Sequence, residues 1–563
     1  MTDMQDRNVD FRTCPVTTYE VDLAAERLIK ANAVAAIVAL LLGGIAAILL
    51  ALTRWEAINL LPPEWFYRLL TAHGIDMLVV FIVFFEIAGL YFGGSVMLNS
   101  RLVAPKIGWV AFGMMAFGAV LVNIMVLTDQ ATVMFTAYEP LGSDVASPLF
   151  YLGLILFAVG ALVGVGLFFV TIYVAKRDRT WEGSFPLVVF GFVVAGIIAV
   201  YTLLSGAVAL VPAMAKSLGW IDTLAPAFYR NFFWSFGHPA QQINLAAMVA
   251  VWYAITFVAL RADPVSEKLS RFAFVLYLLF INLGSVHHLL VDPGLSFGFK
   301  VFNTSYAMYL AVLGSMIHAF SIPAAMEVVQ RKRGYTNGLF EWFRKLPWRE
   351  PGFAALAVSM FLFGWIGGVT GVTMGTEQIN MVSHNTLRVP GHFHAAVVGG
   401  TAIAFMGFTY YLIPLIFRRK LLLVGWAKLQ PYVFGFGIML VSLGMITAGV
   451  QGVSRRSADI SAAGPASGTV DLSLAVLGIG GLIAFTGLVM FLTIVLSSVF
   501  FGPKQEANSL TLIVEPAPVP EHIPADVDLR PRGTFVIVLV FLAFFAAFYL
   551  ANWWMLGRTW FVG

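Results

Sequence analysis

Long apolar runs separated by short polar stretches set the rhythm of this chain. The runs fall at 31–53, 67–99, 107–128, 149–175, 186–212, 227–260, 269–291, 301–330, 353–374, 392–417, 429–452, 471–501 and 534–556. Crossing a ~30 Å hydrocarbon layer takes roughly 20 helical residues, which each run provides. The pattern predicts an all-α polytopic membrane protein of about 13 transmembrane helices. It also divides the chain into an N-terminal tail over 1–30, a twelve-helix core over 31–501, a linker over 502–533 and a last helix within 534–563. The linker, with PAPVPEHIPADVDLRPRG, is rich in proline. Because Arg7, Arg12, Glu20 and Glu26 precede the first run, that run reads as a retained span and not as a cleaved leader.

Composition agrees: 60% of the 563 residues are hydrophobic, 11% are charged and the mean hydropathy is +0.86. With a cytoplasmic N-terminus, the inner segments hold 25 of the 34 lysines and arginines and the outer segments 9. That asymmetry predicts an N-terminus inside and, with an odd helix count, a C-terminus outside. The net charge of +4 is therefore topological and points to no nucleic acid. Cys14, alone of its kind, excludes a disulfide framework, an iron-sulfur cluster and a C-x-x-C-H haem attachment.

Polar residues inside the apolar runs carry the chemistry, since each costs free energy there unless a partner compensates it. The stretch WSFGHPAQQINL, Trp234 to Leu245, holds a histidine, two glutamines and an asparagine. Of nine histidines, His522 lies in the linker, whereas His73, His238, His287, His288, His392 and His394 fall on four apolar runs. The alternating direction of the helices puts all six in the outer half of the membrane. A lone buried histidine is usually a hydrogen-bonded core residue; six at one depth point to metal ligation. At ~100° per residue His392 and His394 face nearly opposite ways, so one helix can serve two cofactors. His287 and His288 can face a neighbouring helix where His238 adds a third nitrogen, a set that suits a transition metal with an open position. His73 remains to pair with a tenth-helix histidine across a haem iron.

HPAQQ, SVHHLLVDPG, HNTLRVPGHFH and TAHGIDMLVVF resemble subunit I of the haem-copper oxidase superfamily, and MFTAYEPL with the thirteen-helix count leans towards its B branch. The resemblance implies a prokaryotic cytoplasmic membrane, a low-spin haem b on His73 and His394, and a high-spin haem, b- or a-type, on His392. His238, His287 and His288 would hold a non-haem copper, with iron the alternative. His384, Arg455 and Arg456 match positions near haem propionates, and Asn380 stands where the B branch offers an aspartate. Tyr253, Ser315, His318 and Ser321 match a proton path, with Glu86 a further candidate whose long helix could carry it to the inner surface. With no electron-entry cofactor of its own, the chain calls for a second subunit bearing binuclear copper or haem c on the outer face, and for cytochrome c or a similar donor.

In the dioxygen-reducing A and B branches, the residue four after the helix-six histidine is a tyrosine joined covalently to it. Here it is Gln242, and the C-branch tyrosine position on helix seven is Ile281. Splitting dioxygen in one step needs four electrons, of which two such metals supply three and the phenol one. An amide has no accessible redox state and no acidic proton. Reducing two NO to nitrous oxide needs two electrons and no phenol. The expectation is thus an atypical nitric oxide reductase in which Gln242, one turn and about 6 Å from His238 along the axis, orients a ligand of the metal. Dioxygen reduction without the linked tyrosine is the alternative, followed by NO dismutation and a non-redox transporter.

Overall fold

The computed structural model describes residues 10–281, 287–459, 468–506, 510, 512, 518–521 and 527–559. A two-stranded antiparallel hairpin, β1 (Phe11–Thr13) and β2 (Glu20–Asp22), pairs Phe11 with Asp22 and precedes the helices. These are α1 (Leu23–Arg54), α2 (Pro63–Val96), α3 (Pro105–Leu127), α4 (Pro148–Arg177), α5 (Leu187–Ser217) and α6 (Pro226–Leu260). Next comes α7 (Glu267–Leu276), prolonged by π-helical turns over Tyr277–Ile281. The remainder are α8 (Phe297–Lys332), α9 (Pro351–Met374), α10 (Arg388–Leu415), α11 (Val424–Val450), α12 (Gly468–Phe501) and α13 (Arg532–Arg558).

Among the described residues twelve of these are long and apolar enough to cross a membrane. The thirteenth expected span, 269–291, corresponds to α7, but residues 282–286 lie outside the described ones. His287 and His288, placed by periodicity in the last turns of that helix, have 3₁₀ conformation.

Local chemistry sets the helix ends. Proline opens α2, α3, α4, α6 and α9, where a missing N–H costs nothing because first-turn donors have no helical partner. The Asp22 carboxylate caps α1 by accepting from Ala24 N at 2.9 Å, so this helix starts at Leu23, eight residues before the apolar run. Its first turns can carry charge because Glu26 pairs with Arg12 at 2.5 Å, with Lys30 and with Arg418 at 3.3 Å. Lys176 and Arg177 close α4, and Arg331 and Lys332 close α8, where cations meet unpaired carbonyls. Of the linker, residues 507–509, 511, 513–517 and 522–526, with His522, lie outside the described part.

The chain forms two compact units. One comprises Met1–Ala247, Leu412–Leu422 and Leu492–Thr511; the other comprises Met248–Tyr411, Leu423–Phe491 and Leu512–Gly563. The first holds the hairpin, α1 to α5 and the start of α6, which continues into the second. In the second, the Glu327 carboxylate on α8 accepts from Gly533 N at 3.0 Å and Thr534 N at 2.6 Å, tethering the start of α13.

Candidate metal centre

His238, on the part of α6 in the first unit, and His287 and His288, in the second, each offer one ring nitrogen to a metal ion. The rings of His287 and His288 are 4.2 Å apart between centroids. The Asn380 amide donates to the His287 carbonyl at 3.2 Å and to Met374 O at 2.9 Å, which ties the ligand turn to the end of α9. On α6, Pro239 follows His238 directly and has no N–H to give the Ser235 carbonyl. One turn on, the Gln242 amide nitrogen sits 2.7 Å from His238 Nε2. An amide N–H only donates, so this contact takes the Nε2 lone pair; with the amide turned over, its oxygen accepts from Nε2–H and the Nδ1 lone pair is left for a metal. Three neutral imidazoles with no carboxylate among them form a donor set suited to copper or iron.

The other three histidines share one device. His73 Nδ1 lies 2.9 Å from the Gly43 carbonyl on α1, His392 Nδ1 lies 2.9 Å from the Gly367 carbonyl on α9, and His394 Nδ1 lies 2.7 Å from the Pro390 carbonyl. A carbonyl only accepts, so Nδ1 must carry the proton in each ring and the lone pair stands on Nε2. A metal-ligating imidazole is held in this way, and on that test all three fit haem iron. Gly371 gives the His392 ring its place: a Cβ there would come within 2.6 Å of His392 Cε1. The backbone changes to π-helical turns at Asp76–Phe81, just after His73, and at His394–Ala402. Such wide turns recur at functional sites.

Residues 27–483 match the family described as cytochrome c and quinol oxidase polypeptide I. The chain belongs to the haem-copper oxidase subunit I family. It is 31% identical over 412 residues to a cytochrome c oxidase subunit 1 of Thermus thermophilus, covering 70% of this chain and 69% of that one. A cytochrome c oxidase polypeptide 1 of Halobacterium salinarum is 28% identical over 64% of this chain and 60% of its own length. Among solved structures, a heme-copper terminal oxidase dimer determined by cryo-EM superposes with a TM-score of 0.81 at 26% identity, covering 94% of this chain and 92% of the other. This haem-copper subunit is therefore a multi-pass membrane oxidoreductase, which removes the transporter reading.

The expected proton-path residues gather in the second unit. The Tyr253 hydroxyl donates to Ser270 Oγ at 2.9 Å and contacts His318 Nδ1 at 3.0 Å, and Ser321 also hydrogen-bonds it. Tyr277 donates to Ser315 Oγ at 3.1 Å, and its ring lies 5.6 Å from that of His318. His318 is fully buried, and its Nε2 has no hydrogen-bond partner. Ser270 and Tyr277 are the members that sequence reasoning missed. Spacing along one helix cannot show that α7 turns them towards α8.

At the propionate candidates, Arg455 N donates to Asn385 O at 2.9 Å and Leu387 N to Val453 O at 2.8 Å. These bonds lay the segment carrying Arg455 and Arg456 beside the one carrying His384. Arg388, 5% exposed on the first turn of α10, was also missed. Its Nη2 donates to Asn552 Oδ1 on α13. Glu86 corrects an expectation: it is 6% exposed within α2 and lies inside the protein, not at its surface.

Proposed function

We propose that this chain is the catalytic subunit of a respiratory membrane nitric oxide reductase, converting two NO, two electrons and two protons into nitrous oxide and water. The Gln242 amide, 2.7 Å from His238 Nε2, carries this reading. The side chain lying against that ring is one that can give neither an electron nor an acidic proton. The tyrosines of α6 and α7 bond elsewhere: Tyr229 donates to Thr136 O, Tyr253 to Ser270 and Tyr277 to Ser315.

Under this reading His73 and His394 hold a low-spin haem b, His392 holds a high-spin haem, and His238, His287 and His288 hold copper, with iron the alternative. When bound, the haem and the non-haem metal supply one electron each and bind the two NO. Gln242, with its amide oxygen turned to accept from Nε2–H, fixes the His238 ring with the Nδ1 lone pair towards the metal, a different task from orienting a ligand of the metal. His384, Arg455, Arg456 and Asn380 serve the haem propionates, and an arginine fork suits a carboxylate. Tyr253, Ser315, His318 and Ser321 deliver protons. A second subunit carrying binuclear copper or haem c, fed by cytochrome c or a similar donor, supplies electrons at the outer face of a prokaryotic cytoplasmic membrane.

Dioxygen reduction is the second reading, favoured by the names of the Thermus and Halobacterium relatives. Gas analysis separates the two on one purified preparation with a reductant. Under anaerobic NO, nitrous oxide is expected, and its absence overturns the proposal. Rapid oxygen uptake with little peroxide would select the second reading, and dinitrogen with dioxygen from NO would select dismutation.

A further inference from the structure

Glu86 is a carboxyl buried in the middle of α2 that the cluster around His318 does not use. It forms no ion pair among the described residues. It lines a cavity of about 30 Å³ with Val165 of α4, Phe192 and Leu203 of α5, and Ile243 of α6. That space admits about two waters. None of the lining residues from α4, α5 or α6 can ionise. An ionised carboxylate without a cation is expensive in such surroundings, whereas a protonated one needs only a single acceptor.

Such an acceptor is present. The side-chain amide of Asn244 lies 2.8 Å from Glu86 Oε1, and Asn244 Nδ2 donates to Gln241 Oε1 at 3.0 Å. With its oxygen towards Glu86 the Asn244 amide accepts from a protonated carboxyl. Turned over, the Asn244 amide donates to Glu86 Oε1 instead and suits the ionised form. The Asn244 amide can thus meet either protonation state of the carboxyl, with Gln241 turning as well when Asn244 presents its nitrogen to Glu86. Gln241 stands three residues after His238, roughly 4.5 Å along the axis of α6.

We propose that Glu86 is a proton-storing carboxyl that serves the metal centre from the α2 side, through water admitted to the cavity, with the Asn244 amide holding the carboxyl in place. It forms a branch distinct from Tyr253 and His318. In each cycle one proton leaves the carboxyl for the centre, where it is consumed with an arriving electron, and the carboxylate then takes up another. This rests only on a centre that consumes protons with electrons, as both NO and dioxygen reduction do.

The test is redox-difference infrared spectroscopy on the full-length purified holoprotein, combined with turnover on whichever gas the unaltered protein consumes. A carbonyl band of a protonated carboxylic acid that responds to electron loading is expected. Glu86→Gln should remove it, and Asn244→Ala should shift it. Glu86→Gln should also lower kcat on the order of tenfold or more, with KM, haem spectra and metal content unchanged, and Glu86→Asp should restore part of the loss. A redox-responsive band that persists in Glu86→Gln, or unaltered turnover in that variant, overturns the proposal. Failure of NO turnover alone leaves the infrared prediction standing.

Discussion

The Gln242 amide nitrogen and His238 Nε2 stand 2.7 Å apart, one turn along α6. The contact fixes the ring rotation of a metal-ligand candidate without a covalent link. Partners of this kind, standing behind a ligand, typically contribute 10- to 100-fold in metal affinity, so Gln242→Leu should lower the non-haem metal to haem ratio by about that factor under limiting metal. Elemental analysis beside the optical spectrum checks this: metal is lost while both haem signals remain. Full metal retention would mean that the amide does not hold the ring.

Gly371 and His392 make a second close relationship. A Cβ at position 371 would meet His392 Cε1 at 2.6 Å, well inside van der Waals contact. Gly371→Ala should therefore displace the ring and deplete the high-spin haem, and Gly371→Val should do so further. The low-spin haem held by His73 and His394 should persist. Haem quantification with low- and high-spin optical signals reads the outcome.

Tyr253→Phe removes the hydroxyl that joins Ser270 to His318 Nδ1 and leaves the rest of the cluster in place. Turnover should slow by roughly tenfold or more if this hydroxyl passes protons. Haem spectra and metal content should not change, and the solvent deuterium isotope effect should rise. A structural hydroxyl would instead lower thermal stability and leave the isotope effect alone.

Glu327 is fully buried, pairs with Arg331 at 2.7 Å and caps α13 through Gly533 and Thr534. Glu327→Ala leaves a nearly buried guanidinium without its carboxylate, a change that costs about 3–5 kcal/mol in comparable cases. The variant should unfold at lower temperature and be cut faster in the 502–533 linker, both measurable in detergent by scanning fluorescence and limited proteolysis. Glu327→Gln should fall between it and the unaltered protein.

Much of this molecule was legible in its sequence because a bilayer imposes local rules. A spanning helix must satisfy its own backbone and be apolar over about 20 residues, so helix number and order follow from hydropathy. The same rule makes a histidine within an apolar run conspicuous, which brought His73, His238, His287, His288, His392 and His394 forward before any fold was known. It also set Gln242 one turn from His238, since i and i+4 share a helix face.

What periodicity could not encode is how each helix is rotated against its neighbours. Only the tertiary structure decided that Nδ1 of His73, His392 and His394 would each meet a backbone carbonyl. It likewise turned Ser270 and Tyr277 into the His318 cluster and kept Glu86 inside, against Asn244. The same holds for α1, where Glu26 could enter the helix because Arg12 and Arg418 came to meet it. Such contacts depend on helix crossing and side-chain direction, quantities set by packing across the whole bundle and not by any single stretch of chain.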